Sequence, residues 1–220
     1  MADVNRLILR YAYPITVVIL AILAWAAYRQ FSAGGNGLVS YVVVILIVWG
    51  VGAVVFLYFW PTITYSAFKR AIVQHGLGGG PIPINTLYAT PTRASPAAST
   101  GSLLATGTDD VLYVGGWLDL SQGPLVLRVP DMAGRYYSVQ FTDPSDGADF
   151  AYVGARTTGT AAGEFLISGP GWKGTTPPGM AQIAAPNNSV GVIGRVMVES
   201  DQDLPTAYGL AKQIQLTRRG

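Results

Sequence analysis

The chain has no cysteine, which excludes disulfides, thiolate metal sites and a cysteine nucleophile. It has a single histidine, His75. Zinc sites built on several histidines or cysteines are thereby excluded, and a Ser-His-Asp triad would depend on that one residue. Charge is scarce as well, at 12% of residues, about half the share usual in a soluble protein. The scarcity is uneven, because Arg29 is the only charge between Arg10 and Lys69. The formal net charge of +2 comes from the first part, where Arg6, Arg10 and Arg29 outweigh Asp3. From Lys69 onward acids and bases balance. Nucleic-acid binding needs a basic patch on one face, so no nucleic-acid partner is expected.

What the charges vacate is apolar. Tyr11–Tyr28 and Leu38–Trp60 are two uncharged, mostly apolar runs. A helix needs about 20 apolar residues to cross the hydrocarbon core. The second run suffices alone, and the first suffices once Leu7 to Leu9 are added. Tyr11, Tyr13, Trp25, Tyr28, Tyr41, Phe59 and Trp60 cluster near the run ends, as an interfacial aromatic belt does. The short, turn-rich RQFSAGGNG between them predicts an antiparallel helical hairpin over residues 1–61, with spans at about 7–28 and 38–60. The competing reading makes the first run a signal peptide, with Ala24-Trp25-Ala26 as a small-x-small cleavage site. Pro61 is expected to stop the second span. Thr62 or Thr64 then caps a juxtamembrane helix over 62–76, with Gly76 as its stop. Tyr65, Phe68, Ile72 and Val73 share one face of it, suited to lie at the headgroups. His75 at its end reads as an interfacial residue rather than a catalyst. The expected setting is a lipid bilayer, the bacterial inner membrane, with the protein multi-pass. Arg6, Arg10, Lys69 and Arg70 against Arg29 would place the C-terminal domain in the cytoplasm by the positive-inside rule.

Residues 77–108 are rich in Gly, Pro, Ser and Thr and read as an extended lead-in, although Ile82, Ile84, Leu87 and Tyr88 could lie across a core. Over 109–220 turn signals recur. Val111–Leu120 reads as a strand broken at Gly115 and Gly116. Leu125, Leu127 and Val129 alternate with Val126 and Arg128, and Tyr137, Val139 and Phe141 with Ser138 and Gln140, the period of a half-buried strand. Further strand candidates are 150–153, 164–168, 181–184 and 190–199, with GPGWKGTTPPG (169–179) a loop. Strands so spaced predict a mainly β fold, an antiparallel β-sandwich. It closes on a short helix capped by Asp203 with Pro205 in its first turn, its apolar side formed by Leu204, Tyr208, Ala211 and Ile214.

The candidate chemistry is thin. Asp143, Asp146 and Asp149 in DPSDGAD are candidate metal ligands, although the spacing is not that of an EF-hand. A turn whose aspartates cap backbone N–H groups explains them equally well. Asp109 and Asp110 are adjacent, and neighbours on a strand point to opposite faces, so Asp110 is expected to pair with Arg135 or Arg156. GARTTGT (154–160) has the glycines and hydroxyls of an anion-binding loop around Arg156, without P-loop spacing or a following helix. The plainer reading is an arginine tying a hairpin to its neighbour. Trp172 is a candidate ligand platform or a plug at the end of the sandwich. No cofactor motif and no catalytic signature emerges.

In order, DDVLY, GWLDLSQGPLVLRVPD, GRYYSVQFTD, FAYVGARTTGT, FLISGPGWKG and GRVMVES-DQDL resemble the bacterial family called domain of unknown function 1254, from about Asp110 to Leu216. The resemblance implies an immunoglobulin-like β-sandwich. It also implies a jelly-roll companion, domain of unknown function 1214, which usually follows in one secreted chain and in some bacteria is a separate membrane-anchored protein. This chain resembles the split form. It departs from the family where N-x-D-T-L-Y is replaced by Thr108, Asp109, Asp110, Val111, Leu112, Tyr113. A second departure is the family's T-N, replaced within Pro144, Ser145, Asp146, Gly147. The family's export would place residues 62–220 outside the cytoplasm, against the charge count.

Two functions are therefore expected. The first is a membrane-anchored, non-catalytic β-sandwich that binds a protein partner, a jelly-roll companion or a larger membrane complex. The alternative is an enzyme or small-ligand binder with Asp110, Arg135, Asp143 and Arg156 around one pocket.

Overall fold

The computed structural model describes residues 17–29, 31–34, 37–94 and 108–218, with residues 39 and 40 by backbone alone. Residues 7–16 of the first expected span and 95–107 of the lead-in lie outside the described residues. The chain divides into two compact units, Met1–Pro61 and Thr62–Gly220.

Helix α1 spans Val17–Arg29, and α2 spans Gly37–His75. Among the described residues one helical stretch, Tyr41–His75, is long and apolar enough to cross a membrane, by length and composition; α1 is apolar but shorter. The expected stop at Pro61 is absent, because Pro61 lies inside α2. A proline in a helix removes one backbone hydrogen bond and crowds the carbonyl four residues back, at about 3 kcal/mol. That cost does not end a helix whose following turns are held by their own packing. Residues 62–75 are so held: Ile72 is buried with Ile82 and Trp117, and Tyr65, Phe68 and Val73 pack against them. The apolar face expected at the headgroups is thus covered by protein. α2 ends where Gly76 was expected to end it.

The β unit contains two sheets. Strands β1 (Leu87–Ala89), β2 (Val111–Asp119), β4 (Tyr137–Thr142), β5 (Asp149–Gly154) and β8 (Ser189–Met197) form one, in the order β1-β2-β8-β4-β5. Strands β3 (Leu125–Val129), β6 (Gly163–Ser168), β7 (Ala181–Ala184) and β9 (Gln215–Arg218) form the other, in the order β7-β6-β3-β9. The core between them follows the alternation in the sequence. Leu112, Val114 and Leu118 of β2, Tyr137, Val139 and Phe141 of β4, and Val190, Val192 and Val196 of β8 meet Leu125, Leu127 and Val129 of β3. Helix α3 (Leu204–Ala211) adds Ala207 and Ala211, followed by Ile214.

Several expectations are corrected. The two sheets are not wholly antiparallel, since β6 and β7 run parallel. Parallel neighbours need a long crossover, which the 169–180 loop supplies. The lead-in contributes β1, paired with β2. β9, unannounced by any apolar run, pairs with β3. Gly115 and Gly116 do not break β2; they make room. A Cβ on Gly116 would lie 2.2 Å from the Thr86 carbonyl oxygen, so no side chain can replace hydrogen there, whereas one on Gly115 would meet the end of the Leu77 side chain at 2.6 Å. Asp203 stands at the N-cap of α3 but makes no capping bond, because its carboxylate is engaged elsewhere.

Candidate functional site

Asp203 accepts two hydrogen bonds from Arg135, at 2.5 Å to Nη1 and 2.6 Å to Nη2, and one from the Glu199 N–H at 2.9 Å. Arg135 Nη1 also donates to the Met197 carbonyl at 2.7 Å. Both side chains are largely buried, with 11% and 16% exposed. A planar guanidinium facing a carboxylate through two parallel bonds is the strongest ion-pair geometry available. It holds the Asp203 carboxyl below its ordinary value and raises Arg135 further. Arg135 Nε is buried without a partner among the described residues. Arg135, expected to pair with Asp110 or line a pocket, is a structural lock between β4, β8 and α3. Asp110 lies exposed, and its carbonyl accepts the Val198 N–H at 2.7 Å.

The three aspartates of DPSDGAD do not converge. Asp143 is buried and accepts from Asn187 Nδ2 at 2.8 Å on both oxygens and from the Ser145 N–H at 2.9 Å. Asp146 accepts the Ala148 N–H at 2.9 Å. Asp149 accepts from Gln140 Nε2, Thr142 Oγ1 and Tyr152 Oη at 2.9, 2.7 and 2.6 Å. Each carboxylate is met by its own donors, and among the described residues no group of three acidic or histidine side chains could hold a metal ion. Asp143 and Asp146 thus cap backbone N–H groups, as the turn reading has it. Trp172 turns back over its own loop, its ring 2.4 Å from where a Cβ on Gly174 would stand. The pocket expected around Asp110, Arg135, Asp143 and Arg156 is not assembled: Arg135 and Asp143 are taken by Asp203 and Asn187, Asp110 lies exposed, and Arg156 lines a cavity that none of the other three lines.

Arg156 has different company. The hydroxyls of its loop serve the turn itself: Thr157 Oγ1 donates to the Tyr152 carbonyl at 3.1 Å, and Thr158 Oγ1 accepts the Gly154 N–H at 3.1 Å. Those groups form no open phosphate cradle. The guanidinium instead lies over the Tyr136 ring, 5.3 Å from its centroid, at the rim of a cavity of about 310 Å³. This cleft opens on the face of the five-stranded sheet opposite the core. Its floor is a row in register: Arg195 of β8, Ser138 of β4 and Gly154 of β5. Tyr136, Gln140, Tyr152 and Arg156 rise around it. Gly154 is required, since a Cβ would lie 2.5 Å from the Tyr137 carbonyl oxygen and 2.9 Å from Ser138 Cα.

The cleft is positively polarised. Arg195 Nη1 donates to Gln140 Oε1 at 3.2 Å, and Gln140 Nε2 donates on to Asp149. Asp149 thus answers Arg195 only through an amide, while it binds the Tyr152 hydroxyl and pushes that phenol up to about 12. Tyr152 stays a neutral donor in ordinary conditions. Arg156 makes no hydrogen bond or ion pair among the described residues. By contrast Arg93, Arg128 and Arg135 are each paired with a carboxylate. Sequence reasoning missed Arg195, Ser138, Gln140 and Tyr152. The lone charge in GVIGRVMV was a usable signal for Arg195, but nothing in the sequence announces that β8, β4 and β5 are neighbours.

A family model described as "Protein of unknown function (DUF1254)" matches residues 84–218. No curated protein matches the chain. Among solved structures, the chain is similar to the VPA0106 protein from Vibrio parahaemolyticus, with a TM-score of 0.57 and 24% identity over 73% of this chain and 36% of that one. This chain thus spans about a third of that protein's length, and the likeness is one of fold. A putative uncharacterized protein from Burkholderia cenocepacia aligns over 90% of this chain and 57% of its own, with 12% identity and a TM-score of 0.36.

Proposed function

This chain belongs to the DUF1254 family, and on that premise we propose that it is a membrane-tethered, non-catalytic β module, a partner-binding or accessory subunit of a membrane protein complex. The supporting observation is the exposed apolar surface of α2, where Trp49 is 77% and Leu57 68% exposed. An uncovered apolar surface marks a membrane or protein contact, and the length of the run suits a bilayer. In this reading α1 and α2 belong to a two-span hairpin in the bacterial inner membrane, and the β unit is an immunoglobulin-like sandwich. We place residues 62–220 outside the cytoplasm, following the export implied by the family resemblance rather than the few charges of the positive-inside count. The partner is a jelly-roll companion protein or a larger membrane complex.

Mild solubilisation of native membranes followed by size separation tests the proposal. A stoichiometric protein partner is expected to travel with the chain, and a clean monomer overturns the accessory role. Protease added to intact spheroplasts is expected to cut the 169–179 loop. Protection of that loop would move the β unit to the cytoplasm.

A further inference from the structure

We propose that the cleft over Ser138 and Gly154 is a binding site for a small organic anion bearing carboxylate or phosphate groups, with Arg195 and Arg156 as its ligands. The inference stands on the β unit alone and is independent of the tether and of any protein partner. Three observations carry it. The first is that two guanidinium groups line one cavity and neither has a carboxylate against it. Arg156 lies over the Tyr136 ring and makes no hydrogen bond among the described residues, and Arg195, which lies over the Tyr113 ring, commits one donor to Gln140. Arginine presents a planar fork of donors that matches carboxylate and phosphate oxygens, so unanswered forks at one cleft select an anion.

The second is the shape of the floor. Across three neighbouring strands the row reads Arg195, Ser138, Gly154, one long cation beside two positions with almost no side chain. The adjoining row carries Gln140 with Tyr152 on one side, and Arg156 lies over the Tyr136 ring at the other, so the small residues make a bowl with polar walls. At about 310 Å³ it lies at the small end of ligand pockets, the size of a compact metabolite rather than a polymer.

The third is the fixed orientation of the wall. Gln140 is held by its bond to Asp149, and Asp149 is saturated by Gln140, Thr142 and Tyr152. That acid is therefore tied back by three donors and makes no ion pair with either arginine. Preorganised donors of this kind lower the ordering cost of binding.

Titration calorimetry on the full chain in a neutral detergent, at low salt, tests the site with two probes, inorganic phosphate and succinate. At least one is expected to bind saturably, with affinity falling about tenfold or more in Arg195→Gln and in Arg156→Gln, while Arg128→Gln, on the other sheet, binds as the native chain does. Binding of succinate alone marks a carboxylate site and binding of phosphate alone a phosphate site, and either supports the proposal. Saturable binding of neither probe overturns it, as does a loss in Arg128→Gln equal to that in the cleft variants.

Discussion

Two arginine-bearing regions lie close together on the same sheet and are built in opposite ways. At the β4–β8–α3 corner, Arg135 donates to the Met197 carbonyl and meets Asp203 through two bonds. Two residues back along β8, Arg195 faces a cleft, where it donates to the Gln140 amide and lies over the Tyr113 ring, with no carboxylate against it. The first region closes its charge inside the protein, so its chemistry is cohesion. The second leaves charge unanswered at a shaped opening, so its chemistry is directed outward. Residue type does not separate the two; the presence of an internal counter-ion does.

The comparison can be broken most forcefully at the lock. Asp203→Ala leaves the Arg135 charge without its partner in a largely buried place, and a stability loss of about 3 kcal/mol is expected, read from urea unfolding of the full chain in detergent. A loss below about 0.5 kcal/mol would make the corner an ordinary surface pair. Gly154→Ala forces a Cβ against the Tyr137 carbonyl and is expected to cost about 2 kcal/mol. The same assay reads it, and an unchanged midpoint would show that the floor of the cleft yields.

Acid should reveal the lock next. The folded-state pKa of Asp203 is depressed by Arg135. Its stabilisation is therefore complete above the ordinary carboxylate value, about pH 4, and is lost as pH falls through the depressed folded value. Unfolding midpoints measured from neutral pH downward should decline more steeply in the native chain than in Asp203→Asn. Parallel declines would show that other carboxylates govern acid stability. The smallest expected effect sharpens the contrast: Arg195→Gln and Arg156→Gln should each change stability by less than about 0.5 kcal/mol, because neither arginine closes an internal pair. A thermal melt showing a loss comparable with that of Asp203→Ala would erase the distinction between the regions.

Much of the β unit was legible because burial imposes a period. Tyr137, Val139 and Phe141 announced β4 and its inward face, and Leu125, Leu127 and Val129 announced β3, since alternate side chains of a strand point to one core. β9 was not legible, because Gln215–Arg218 is a short edge segment defined by backbone bonds to β3 rather than by apolar side chains. Pro61 misled for a related reason. Its local cost is real, but whether a helix survives it depends on what holds the turns beyond, here Phe68 and Ile72 against Trp117. The polar candidates fared worse still. Arg135 and Asp143 carry suitable groups for a site, yet their partners are Asp203 and Asn187, distant in sequence and invisible to spacing, while Asp110 lies exposed.

By itself the sequence determined the apolar N-terminal runs, the two-sheet β unit with its inward-facing rows, the closing helix and the family. These follow from local periodicity and composition, which every window of the chain displays. Only the tertiary structure decided which arginine would be locked and which left open. Strand order sets β8 beside β4 and β4 beside β5, and that order alone brings Arg195, Ser138 and Gly154 into one row while Asp203 swings onto Arg135. A charge becomes structural or functional according to its neighbours across the sheet, and neighbours across a sheet are fixed by long-range pairing, which no local pattern encodes.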